Sequence, residues 1–290
     1  MGNILNHPIL RYLLALLVVL VAIFFLMDLL PDASLAITGG KVKGENLLEL
    51  RRELGLDQPA YKRLGMFWEQ LFKGELHSYY SKEPLQAVLA AKLAVSGRLL
   101  IMALGSLALL TAGWMATLSR LKASKWALSL LVGITSSVPL FISLPIILII
   151  CGRTNIPPVV GGGLSLAIYP AMLLATNLID ISGHRKAPPA YSILARQCGL
   201  QGWPRLAMEL RVSSSAVQIL LNSIAFFILM GIPVAELMLG LPGAGRWMLE
   251  SILRIDLPVI YLCATLSALL CAGLFFFNEV YSAWAGTEEA

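Results

Sequence analysis

The chain has 290 residues, of which 58% are hydrophobic and only 13% charged, about half the charge of an ordinary soluble domain. With a mean hydropathy of +0.78, that surplus of apolar surface calls for a bilayer as solvent. The net charge of +5 contains no basic cluster longer than two or three residues. It therefore argues for a membrane orientation signal rather than for a nucleic-acid surface.

Six apolar segments are long enough to cross a hydrocarbon layer of about 30 Å. They lie at 9–30, 99–118, 126–151, 164–181, 216–239 and 257–284. The first resembles a signal peptide in having Ser34-Leu35-Ala36 after it. Its apolar run exceeds the roughly 7–15 residues of a cleaved h-region, which favours a retained anchor. The fourth is expected to begin near Leu164 or elsewhere inside "VVGGGLSLAIYP" (159–170), where three glycines let the backbone approach its neighbours.

Between the first two spans, residues 31–98 carry ten basic and eight acidic side chains. Leu47, Leu50 and Leu54 share one helical face, and Gly55 suits its stop. A second helix is expected after Asp57-Gln58-Pro59, with Asp57 as N-cap and Pro59 in the first turn. Leu64, Phe67, Trp68 and Leu71 follow at helical spacing. This segment reads as helical and interfacial, a packing layer or a docking platform.

The basic residues of the short connections fall unevenly. Arg11, Arg120, Lys122, Lys125, Arg185, Lys186, Arg196, Arg205 and Arg211 share one side, against Arg153, Arg246 and Arg254 on the other. The positive-inside rule then places both termini in the cytoplasm. The fold expected is all-α: six transmembrane helices, cytoplasmic termini and an external helical segment after the first span. Its organisation is 1–98 for the first span plus external segment, 99–284 for a five-helix core, and 285–290 for a short tail.

The largest cytoplasmic loop, 182–213, contains a short amphipathic helix. Pro188 and Pro189 suit its start. Tyr191, Leu194, Ala195 and Cys198 recur at i, i+3, i+4 and i+7, and Gly199 can take the left-handed conformation that stops it. Two to three turns are unstable alone in water, so the apolar face needs the membrane surface or a groove in a partner protein.

The stretch "AYSILARQCGLQGWPRLAMELRVSSSAVQILL" resembles the loop of binding-protein-dependent ABC importer permeases that docks into an ATPase. "LGLDQPAYKRLGMFWEQLFKGEL", "SSVPLFISLPIIL" and "LPGAGRWMLESILRIDLPVI" are similar to the dipeptide, oligopeptide and nickel branch of that superfamily, in matching order over nearly the whole chain. The acidic residue usual near the start of the docking helix is absent, and Gln197-Cys198 replaces a small-basic pair before Gly199. The resemblance implies half of a translocation pathway. It implies a second homologous permease, one or two cytoplasmic ATPases and an extracytoplasmic solute-binding protein as partners, in a bacterial cytoplasmic membrane. Tyr191, Leu194, Ala195, Arg196, Cys198, Gly199 and Leu200 would form the ATPase contact.

Nothing in the sequence supplies chemistry of its own. There is no G-x-x-x-x-G-K-[ST] phosphate loop, and "TGGKVKG" at 38–44 is a glycine-rich turn. Cys151, Cys198, Cys263 and Cys271 match no zinc spacing, so no metal and no cofactor is expected. Among polar residues inside spans, which are functional suspects, Glu236, Asn222 and Asp180 are the pore or gate candidates. Asn177 and Asn278 are weighed beside them, each against a plain interhelical hydrogen bond. A secondary transporter, an intramembrane enzyme and a purely structural membrane subunit remain the alternatives. No internal repeat supports the first, and Ser213, Ser214 and Ser215 lack a base for the second.

Overall fold

The computed structural model describes residues 8–27, 29, 32–39, 41, 44–121, 125–181, 193–194, 197–200, 204, 208 and 214–285. Among them the regular secondary structure is helical. The helices are α1 (Pro8–Met27), α2 (Ala33–Thr38), α3 (Glu45–Glu53), α4 (Ala60–Lys73), α5 (Leu85–Leu121), α6 (Lys125–Ser137), α7 (Leu140–Thr154), α8 (Pro158–Ile181), α9 (Ser214–Met238), α10 (Ala244–Arg254) and α11 (Leu257–Ala285). The sole extended pairing among these residues is an isolated bridge between His77 and Pro84.

Among the described residues four helices are long and apolar enough to cross a membrane: Leu85–Leu118, Pro158–Ile179, Val217–Met238 and Leu257–Tyr281. Leu16–Leu26 and Leu140–Thr154 are shorter apolar helices. The described residues are thus those of a nearly all-helical, multi-pass membrane protein. The segment expected as one span at 126–151 is instead two helices, α6 and α7. Pro139 sits at the N-cap of α7 with φ −62° and ψ 143°, because proline has no amide to continue the ladder and pushes its predecessor out of the α region.

Two other boundaries move. α8 begins at Pro158 rather than near Leu164, so the three glycines lie inside the helix. α4 is capped by Pro59, not Asp57, and no side chain caps it; Asp57 is exposed. Gly55 does take the left-handed conformation expected of it, with φ +67°.

The chain divides into two compact units. The first comprises Met1–Val95 with Pro242–Phe277. Its core gathers Phe24, Phe67, Leu76, Leu85, Leu257, Val259, Tyr261 and Leu262, with Leu64, Trp68 and Leu71 packed against them. The apolar stripe of α4 read from the sequence is therefore the face it buries. Phe67 packs edge-on to Tyr261 with ring centroids 5.6 Å apart.

The second unit comprises Ser96–Leu241 with Asn278–Ala290. α8 is its centre: 61% of its spanning window is buried, against 17% in α5 and 28% in α9. It packs against α6, α7 and α9. The core includes Leu99 and Ala103 of α5, Leu144 of α7, Leu166 of α8, and Leu220, Ile224, Ile228, Ile232 and Ala235 of α9. Within one helix the last five recur at intervals of three or four, the spacing of a single buried stripe.

Candidate functional site

The segment that carries the ATPase-contact expectation is described at Ile193, Leu194 and 197–200. The amide of Cys198 donates to the carbonyl of Leu194 at 2.9 Å, the i to i−4 bond of a helical turn. Gly199 follows at φ +72°, a conformation that costs a residue with a Cβ about 1–2 kcal/mol. Ile193 and Leu194 are 44% and 55% exposed, Cys198 is exposed, and Leu200 is partly covered. The result is a short glycine-stopped turn presenting apolar side chains. Tyr191, Ala195 and Arg196 lie outside the described residues, as does most of 182–213.

The polar candidates of the spans do not form one site. Glu236 is wholly buried in the last turn of α9, where its carbonyl accepts from the amide of Leu241 at 2.9 Å. Asn222 lies fourteen positions earlier on the same helix, about 21 Å along its axis. It is exposed and accepts a 2.5 Å hydrogen bond from the Asn278 amide of α11. Gln218 donates to the Asn278 carbonyl at 3.1 Å, so Gln218, Asn222 and Asn278 make a polar ladder between α9 and α11. Asn177 donates to its own helix at Leu173, 2.8 Å away. Asp180 lies in α8 near its end, and its side chain is outside the described residues.

Three consecutive glycines bring α8 against its neighbours. A Cβ built on Gly161 would collide with the Cys151 sulfur and stand 2.7 Å from Ile147 of α7. On Gly162 it would meet Leu239 at 2.5 Å and Leu99 at 3.0 Å. On Gly163 it would lie 2.8 Å from the Met102 backbone carbon and 3.0 Å from the Ala103 amide nitrogen. Small residues that let backbones approach are the usual packing device of membrane helices. The sequence showed the glycines but put them at the helix entrance rather than in its buried first turns.

In the first unit, Asp256 is an anchor. It is 4% exposed and stands just before α11, where its carbonyl accepts the Ile260 amide at 3.1 Å. Its carboxylate accepts from the Ser78 hydroxyl at 2.5 Å and from the Tyr79 amide at 3.1 Å. The neighbouring Tyr80 hydroxyl donates to the Arg254 carbonyl at 2.6 Å, and Ile255 holds φ +57°. Burial pushes the Asp256 carboxyl above the usual carboxylate value, while the Ser78 and Tyr79 bonds and Arg254 pull it back. Burial, with the Asp256 charge second, raises the Tyr79 phenol to about 12 against the opposing pull of Arg63. This anchor lies within the "RIDLPVI" stretch, but its role was not read from the sequence. The available signal is a carboxylate set among Ile255, Leu257 and Pro258 at the head of a span.

These features belong to a class: helical, multi-pass membrane proteins. Over 290 aligned residues the chain is 25% identical to the dipeptide transport system permease protein DppB of Lactococcus lactis subsp. cremoris, covering 93% of each chain. It is 28% identical over 271 residues to proteins of Brucella abortus and Brucella suis named as peptide transport system permeases, covering 84% of this chain and 85% of theirs. No family model matches the sequence. The chain is a homologue of bacterial peptide transport permeases.

Proposed function

We propose that the chain is the permease subunit of an ATP-driven ABC importer and forms half of a path for peptides across the cytoplasmic membrane. Supporting the reading above all is likeness to peptide transport permeases along 84–93% of the chain rather than in one motif. In this reading six segments cross the membrane and both termini are cytoplasmic. A second homologous permease completes the path, and an extracytoplasmic solute-binding protein delivers cargo. The turn ending at Gly199 seats in one of one or two ATPase subunits, which hydrolyse the ATP. Nickel, free or chelated, is the competing cargo. A secondary transporter, or a structural subunit with no ATPase, is the competing function.

The test is purification of the tagged chain from its own host in mild detergent, followed by reconstitution of what comes with it. A second permease and an ATPase in the complex, and ATP-dependent dipeptide uptake by the proteoliposomes, are expected. A chain that emerges alone and transports without ATP overturns the importer reading. Uptake of nickel but not of peptides reassigns the cargo.

A further inference from the structure

Within the first unit lies a cavity of about 420 Å³, in the size range of small-ligand sites. Its floor is apolar: Phe24 of α1, Phe67 of α4, and Leu257 and Tyr261 of α11. Phe24 stacks on Tyr261 at 4.5 Å between ring centroids. The same lining carries charges of both signs, Arg52, Arg63 and Lys82 with Glu53 and Glu75. Lys82 is held at φ +52°, a left-handed conformation uncommon outside glycine and worth attention where it borders a cavity.

Charges of both signs above an aromatic floor select a ligand with the same division: an anion, a cation and an apolar body. The floor settles which kind. α11 is long and apolar enough to cross the membrane, and α1 contributes the apolar helix Leu16–Leu26. Buried side chains near the end of α1 and the start of α11, Phe24, Leu257 and Tyr261, line the cavity. The volume suits a headgroup and glycerol, with acyl chains continuing outside it along apolar helix surface. A short peptide carries the same two charges but has no need of a floor continuous with membrane helices.

We propose that this cavity is a binding site for a zwitterionic phospholipid of the phosphatidylethanolamine kind. Its phosphate is held by Arg63 and Lys82 with Arg52, and its ammonium faces Glu53 and Glu75. The glycerol and first methylenes lie on Phe24 and Tyr261. Arg suits phosphate because its planar fork donates two parallel charge-assisted bonds. The site holds α3, α4 and the 75–82 loop to the bilayer surface, and the inference is independent of the importer reading.

The experiment uses the full chain, purified, delipidated and examined by native mass spectrometry with dioleoylphosphatidylethanolamine added. One tightly held lipid per chain is expected, in preference to phosphatidylglycerol. Lys82→Gln and Arg63→Gln should each weaken it about tenfold, the effect of one charge-assisted contact, while Lys73→Gln leaves it unchanged. Lys82 lies on an exposed turn, so its variant keeps the test valid if Arg63→Gln fails to fold. Equal retention of both lipids that Lys82→Gln does not alter overturns the proposal. So does displacement of the lipid by dialanine, or binding of soluble phosphoethanolamine as tight as that of the lipid.

Discussion

The Ser78 hydroxyl donates a 2.5 Å hydrogen bond to the Asp256 carboxylate, across 178 positions of sequence. Both residues are buried, at 6% and 4% exposure. The bond ties the turn that precedes α5 to the junction of α10 and α11. Bonds to a buried charge contribute about 1.5–3 kcal/mol each, and removing one leaves the other partner unsatisfied. Ser78→Ala should therefore lower stability by about 2 kcal/mol, while Ser81→Ala, at an exposed position of the same turn, should not. Thermal unfolding in detergent measures both; equal midpoints for the two variants would show that the bond carries no stability.

Asp256 also predicts a sign for pH dependence. Burial raises its folded-state pKa above the ordinary aspartate value of 3.8, against the pull of the Ser78 and Tyr79 hydrogen bonds and Arg254. A folded state that holds the proton more tightly is favoured where the acid is protonated. The contribution of Asp256 is therefore fully present below about 3.8 and is lost as pH rises through the raised value. Relative to Asp256→Asn, the wild-type protein should lose stability across that window and then level off. Melting points of the two proteins from pH 3.5 to 7 report the difference, and a wild-type advantage that grows with pH would show that the bonds outweigh burial.

Packing within α8 makes a sharper claim. A Cβ on Gly163 meets backbone atoms of Met102 and Ala103 at 2.8 and 3.0 Å, whereas one on Gly105 meets nothing within 4 Å. Backbone cannot swing aside as a side-chain tip can, and overpacking of this kind costs about 1–3 kcal/mol. Gly163→Ala should lower the melting temperature and the yield of monodisperse protein, and Gly105→Ala should leave both unchanged. Equal behaviour of the two variants would mean that α5 and α8 are not in this contact in the membrane.

What the sequence revealed follows from the range of the interactions. The Leu64, Phe67, Trp68 and Leu71 stripe was legible because helical period and burial coincide within three turns. Gly199 was legible because a glycine closing a helical apolar repeat is a local stop signal. The break at Pro139 was written in the sequence too, but apolar composition on both sides made one long span the simpler reading. Asp256 and Ser78 were hidden, since no local pattern links positions so far apart. Glu236 and Asn222 looked alike as polar residues in one span. Fourteen positions are nearly four turns, so the two differ by only about 40° around α9; what separates them is the level along the helix, wholly buried at Glu236 and exposed at Asn222 beside Asn278.

Gly199 joins the local geometry to the proposed function. Its φ of +72° is one that valine reaches only at a cost and that proline, fixed near −65°, does not reach at all. Asparagine tolerates the left-handed region. Among the described residues no atom stands within 4 Å of a Cβ built there, so it is the backbone conformation that restricts the position. Gly199→Pro and Gly199→Val should keep wild-type abundance in the membrane yet lose ATP-driven uptake, with the ATPase co-purifying poorly. Gly199→Asn should retain most of both. Uptake by membrane vesicles and ATPase recovery on the tagged chain separate the cases. Normal uptake by the proline variant would remove the turn from the energy-coupling path. Loss in the asparagine variant as well would show that the partner, rather than backbone conformation, demands glycine.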